Sequence, residues 1–111
     1  MKNFIVTSHS AADATKQLTQ LAKHFPQQAV STRTKTVITL WDGTTIRALT
    51  GNALRGETAT IIFTPYLDET LTRALQPVLA PGGHIVTTPS TQAWANTILE
   101  QLGGPPPATQ G

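Results

Sequence analysis

The chain has 111 residues, 39% apolar and 13% charged, with a net charge of +2, which suits one core, leaves too little apolar surface for two and excludes disorder driven by charge. Cysteine is absent, which excludes disulfides, thiol nucleophiles and thiolate metal sites. The calculated pI of 9.4 rests on eight Lys/Arg against six Asp/Glu, an ordinary weakly basic surface rather than the footprint of a dedicated nucleic-acid binder.

In chain order, Phe4-Ile5-Val6-Thr7 reads as a first strand, a short apolar run that ends in polar residues. Ser10-Ala11-Ala12-Asp13 resembles an N-terminal capping signal, and Ala14, Leu18, Leu21, Ala22 and Phe25 follow at helical spacing up to Pro26, where the residue before proline leaves the helical region. After a polar turn, Thr36 to Trp41 and Thr44 to Leu49 are β-rich runs flanking Asp42-Gly43, a strong signal for a two-residue hairpin turn. A tight turn would set Trp41 opposite Thr44, Thr39 opposite Ile46 and Val37 opposite Ala48, and that side is expected to be the buried one.

Thr50 to Thr58 reads as a loop, and Thr60-Ile61-Ile62-Phe63-Thr64 as a central strand covered on both faces. Asp68 is placed to cap a helix with Leu67, Leu71, Ala74, Leu75, Val78 and Leu79 on one stripe, and Pro77 should disturb its last turn. Pro81-Gly82-Gly83 reads as a turn and His84 to Thr88 as a strand. Ser90 is a cap for a final helix carrying Trp94, Ile98, Leu99 and Leu102 and ending at Gly103-Gly104. Residues 1–103 are therefore expected to form one domain, and 104–111, with three consecutive prolines, a flexible tail.

Strands alternating with helices predict a small three-layer α/β sandwich: a mostly parallel sheet with one antiparallel hairpin and helices on both faces. Ligand sites in such sheets lie at the carboxyl ends of the parallel strands. Those ends supply a candidate cleft of Ser8, His9, Thr64, Tyr66 and Thr88. His9 beside Ser8 does not make a base and nucleophile, because neighbours in an extended chain point in different directions. The three histidines are scattered without metal-ligand spacing, and Asp68-Glu69 are accounted for by capping and the helix dipole. No catalytic residue, metal site or cofactor is expected.

The 20 threonines make a neutral polar surface, and its low charge density favours cover by a protein partner or a second copy of the chain. Nucleic-acid contact, if made, would be weak and would use Arg33, Lys35 and Arg55, long cations in turns or at a strand edge. No apolar run approaches a membrane span, and Met1 to Thr7 is too short for a signal-peptide core, so no membrane partner and a cytoplasmic location are expected.

Ile5-Val6-Thr7-Ser8, Trp41 to Arg47, Leu54-Arg55-Gly56, Thr60-Ile61-Ile62-Phe63 and Ile85-Val86-Thr87-Thr88-Pro89 together resemble the RecA-like ATPase core of phage terminase large subunits and helicases, from just after the phosphate-binding loop. The resemblance spans residues 3 to 90 and implies descent from a phage-type nucleotide-driven motor. No G-x-x-x-x-G-K-[ST] occurs, and Thr64-Pro65-Tyr66 stands where the family places magnesium-binding acids, so the phosphoryl-transfer machinery is expected to be lost.

Leu79 to Val86 is similar to a late strand of Rossmann-like methyltransferases, but His9-Ser10-Ala11-Ala12 is not the glycine-rich loop that approaches the methyl donor. The expected function is a non-catalytic interaction module. The alternative is a small ligand-binding domain or methyltransferase-like enzyme using the strand-end cleft.

Overall fold

The computed structural model describes residues 2–104. Its strands are β1 (Asn3–Val6), β2 (Val30–Arg33), β3 (Val37–Leu40), β4 (Thr45–Ala48), β5 (Ala59–Phe63) and β6 (Leu79–Val86), and its α-helices are α1 (Ala11–Ala22), α2 (Glu69–Leu75) and α3 (Thr91–Gln101). The strands form one sheet in the order β2-β3-β4-β1-β5-β6. β4, β1, β5 and β6 are mutually parallel, and β3 runs against both of its neighbours. Mixed α/β with a mostly parallel sheet is thus the observed class. The tail from Pro105 to Gly111 lies outside the described residues.

Each helix starts where a short polar side chain can take up a free backbone N–H. The Ser10 hydroxyl accepts from the Asp13 N–H at 3.1 Å, Asp68 from Leu71 at 2.7 Å, and Ser90 from Ala93 at 3.2 Å. Pro77 limits α2 to Leu75 and turns the chain into the 3₁₀ turn Gln76–Val78, because proline supplies no N–H to continue an α-helical ladder. At the end of α3 the Gly103 and Gly104 amides bond the carbonyls of Glu100 and Leu99.

Alternation along the strands divides the apolar residues between two clusters. Phe4, Val6, Ile38, Leu40, Ile46, Ile61 and Phe63 pack with Leu18 and Leu21 of α1 and with Trp94 and Ile98 of α3. Ile5 and Ile62 pack instead with Leu54, Leu75 and Val78.

The hairpin departs from the expected register. Its partners are Val37 with Arg47, Ile38 with Ile46 and Thr39 with Thr45, one residue away from the two-residue-turn pairing. Gly43 has a φ of +90° and its N–H bonds the Leu40 carbonyl, while the Leu40 N–H bonds the Thr44 carbonyl. Trp41, Asp42 and Gly43 therefore form a three-residue loop with a left-handed glycine. A one-residue shift exchanges faces, so Ile38 and Leu40 are buried and Trp41 only packs at the margin of the larger cluster.

β2 was not expected from the sequence; only its first residue is part-buried and Ser31, Thr32 and Arg33 are exposed. β6 begins earlier than expected, because Pro81-Gly82-Gly83 is a bulge inside the strand and not a turn before it. Ala80–Gly83 stand opposite Thr60 alone between the pairs Ala59–Leu79 and Ile61–His84. A Cβ on Gly83 would lie 2.7 Å from the Thr60 carbonyl oxygen and 2.9 Å from that of Ala80, so glycine is required there.

Candidate functional site

The connections fix where a site can form. From β1 the chain leaves through α1 toward β2, β3 and β4, and from the adjacent β5 it leaves through α2 toward β6 on the other side. The carboxyl ends of β1 and β5 are thus a topological switch point, where diverging connections open a crevice. The Thr7 N–H bonds the Phe63 carbonyl at 2.9 Å and holds the two ends together. The Thr7 hydroxyl is fully buried there without a hydrogen-bond partner among the described residues.

A cavity of about 390 Å³ opens at this end, lined by Ser8, His9, Thr50, Leu54, Asp68 and Leu71 among others. The His9 and Tyr66 rings pack at 4.5 Å between centroids with their planes tilted by 42°, and the Tyr66 hydroxyl reaches Asp68 at 3.4 Å. Tyr66 is the large apolar side chain left exposed among the described residues. The site therefore presents an aromatic pair at the rim and hydroxyl and carboxylate groups within.

The five cleft residues separate by role. Ser8 and His9 line the cavity and Tyr66 packs on His9. Thr64 is buried and its hydroxyl donates to the Tyr66 carbonyl at 2.7 Å, shaping the turn. The Thr88 carbonyl accepts from the Trp94 indole N–H at 2.6 Å and so anchors α3. The Ser8 hydroxyl donates to the Asp13 carboxylate, and among the described residues no hydrogen bond joins it to His9. That geometry orients a loop and does not activate a nucleophile.

A second cavity of about 610 Å³ runs between Gly51–Thr58 and the end of α2, with Arg55, Glu57, Pro77 and Val78 on its walls. Gly51, Leu54 and Ala74 belong to both cavities. The crevice and this second space adjoin along the α2 side of the sheet and are together called the furrow. Leu54, Asp68 and Ala74 have ordinary structural roles as a loop apolar residue, a cap and a helix residue, so nothing in their local pattern marks them as a lining.

The three cations expected to contribute to a nucleic-acid or partner contact lie in two places. Arg55 is exposed on the furrow. Arg33 and Lys35 are exposed at the end of β2 and in the turn after it, and Arg33 lines a separate hollow beside the end of α1. Arg47 is occupied by Glu57 at 2.6 Å. Among the described residues no three His, Asp or Glu side chains group to hold a metal ion, and no helix is long and apolar enough to cross a membrane.

The chain matches no protein-family model and no curated protein. What fold and site define is therefore a class: a mixed α/β domain with a furrow that begins at its switch point.

Proposed function

We propose that this protein is a non-catalytic binding module, a three-layer α/β sandwich descended from a RecA-like core of phage type, that receives a protein partner in the furrow between Gly51–Thr58 and α2. The observation that carries the reading is that two cavities adjoin, with Gly51, Leu54 and Ala74 lining both. Taken together the two spaces extend from the His9–Tyr66 pair to Val78, a course that suits an extended segment of chain. Two apolar clusters, one with α1 and α3 and the other beside α2, support the layering. The elements named by the resemblance, β1, α1, the β3–β4 hairpin, a loop, β5, α2 and β6, occur in that order and support the descent, with β2 added between α1 and the hairpin. The location proposed is the cytoplasm.

Photoreactive residues placed at Ala74 and at Arg55, with Asn96 on α3 as the control, test this in the native host. One protein product shared by Ala74 and Arg55 and absent from Asn96 is expected. Equal products from all three positions would overturn the reading. So would micromolar binding of ATP or S-adenosylmethionine at defined stoichiometry in calorimetry, which would favour the ligand-binding alternative.

A further inference from the structure

Charge is distributed unevenly along the chain. Lys16, Lys23, Arg33 and Lys35 lie between Asp13 and Asp42, and no Asp or Glu lies between those two acids. The ion pairs among the described residues are Arg47–Glu57 and Arg73–Glu69, so all four of these cations are unpaired. All four are also exposed.

Two features of the backbone bring them together. Lys16 and Gln20 on α1 and Lys23 at its C-cap, still in helical conformation, are spaced by four and three residues, which places them on one stripe. Lys16 and Lys23 are separated by about 10 Å along the axis. The second feature is the irregularity between Val30 and Thr32 in β2. In a regular strand Val30 and Arg33 would point to opposite faces. Here Val30 pairs with Leu40 and Arg33 with Ile38, and both partners belong to the cluster beneath α1. The bulge therefore turns Arg33 to the face that α1 covers. There Arg33 and Lys23 flank one hollow of about 370 Å³, with Phe25, Gln27 and Val30 on its walls. Lys35 follows two residues on in the exposed turn, among Thr32, Thr34 and Thr36.

We infer that Lys16, Lys23, Arg33 and Lys35 form a track for the phosphate backbone of a nucleic acid, with one phosphate seated between Lys23 and Arg33. Four spaced cations match a linear polyanion better than a single small anion, and the neighbouring hydroxyls are the neutral donors that phosphate oxygens accept from. The exposed aromatic residue Tyr66 belongs to the strand-end crevice, so this track has no large exposed ring on which bases could stack. Recognition is therefore independent of sequence and governed by counterion release. The surface is separate from the furrow and does not depend on what the furrow binds. Arg55, on the α2 side, takes no part.

Fluorescence anisotropy with a labelled 20-base-pair duplex over a salt series, on the full chain, tests this. Saturable binding is expected at about 50 mM salt, with a slope of log K against log salt near −3, as about three or four neutralised phosphates require. The double variant Lys23→Glu/Arg33→Glu should lower affinity at least tenfold and flatten the slope, while Arg55→Glu leaves both unchanged. The pair Lys16→Glu/Lys35→Glu, remote from the hollow, should lower affinity by a similar factor. Absence of binding at 50 mM salt, or indifference to both double variants at unchanged melting temperature, would overturn the inference. Equal or tighter binding to polyglutamate, or to vesicles of one part phosphatidylserine to three of phosphatidylcholine, would overturn it in favour of an acidic protein or a membrane surface.

Discussion

The two apolar clusters are unequal, and the inequality separates the part that holds the fold from the part beside the open cavities. Beneath α1 and α3 a large cluster includes Phe4, Phe63 and Trp94, with Phe63 and Trp94 rings 5.6 Å apart. Beneath α2 the cluster is small, built on Ile5, Ile62, Leu54, Leu75 and Val78, and the furrow runs beside it. α2 itself is a seven-residue helix ended by Pro77. The cluster packed with two longer helices holds the fold, and the one beside the short α2 leaves a space to fill.

The largest effect that would break this contrast is expected at Trp94. Its side chain is fully buried and its indole N–H is bonded to the Thr88 carbonyl, so Trp94→Ala should cost about 3–5 kcal/mol in chemical denaturation. Removing the furrow-facing Leu71, only partly buried, by Leu71→Ala should cost about 1–2 kcal/mol. Equal losses at the two sites would contradict the division. Trp41→Ala should fall nearer the second value, at about 1–2 kcal/mol, because the three-residue loop leaves Trp41 at the margin of the large cluster.

Smaller effects sharpen the picture at the switch point and the hairpin. The Thr7 hydroxyl is buried and unpartnered, so Thr7→Val should be neutral or stabilising by up to about 1 kcal/mol in thermal unfolding. A loss of more than that would mean that the hydroxyl is bonded in solution. At the hairpin, burial acts to raise the Asp42 pKa, but hydrogen bonds from the Thr44 N–H at 2.9 Å and the Thr44 hydroxyl outweigh it and hold the carboxyl below its ordinary value. A depressed folded-state pKa contributes stability above the unfolded value, and that contribution is lost as pH falls through the folded one. Unfolding of Asp42→Asn between pH 6 and pH 2 should therefore depend slightly less on pH than that of the parent. An unchanged acid limb would show that the turn carboxylate is not bonded.

Much of the fold was legible because local chemistry and burial agreed. Ser10, Asp68 and Ser90 cap the helices they were expected to cap, and Ile61, Ile62 and Phe63 lie in a central strand. What was missed depended on irregular backbone. β2 has no alternating apolar signal because it is an exposed edge with a shifted register. The Asp42-Gly43 pair is compatible with a two- or a three-residue loop, and only the strand register, with the Leu40 N–H bonded to the Thr44 carbonyl, distinguishes them. Of the expected strand-end cleft, Ser8 and His9 line the cavity at the switch point and Tyr66 packs on His9. The space adjoining that cavity was not legible, since Gly51, Leu54 and Ala74 meet only through the packing of a loop on a helix.

Native-state hydrogen exchange tests the division between the clusters most directly. Amides of β1, β5 and α1 should exchange only through global unfolding, and those of Glu69–Val78 and Gly51–Leu54 through local openings of lower free energy. Exchange of α2 at the same free energy as β1 would contradict the account.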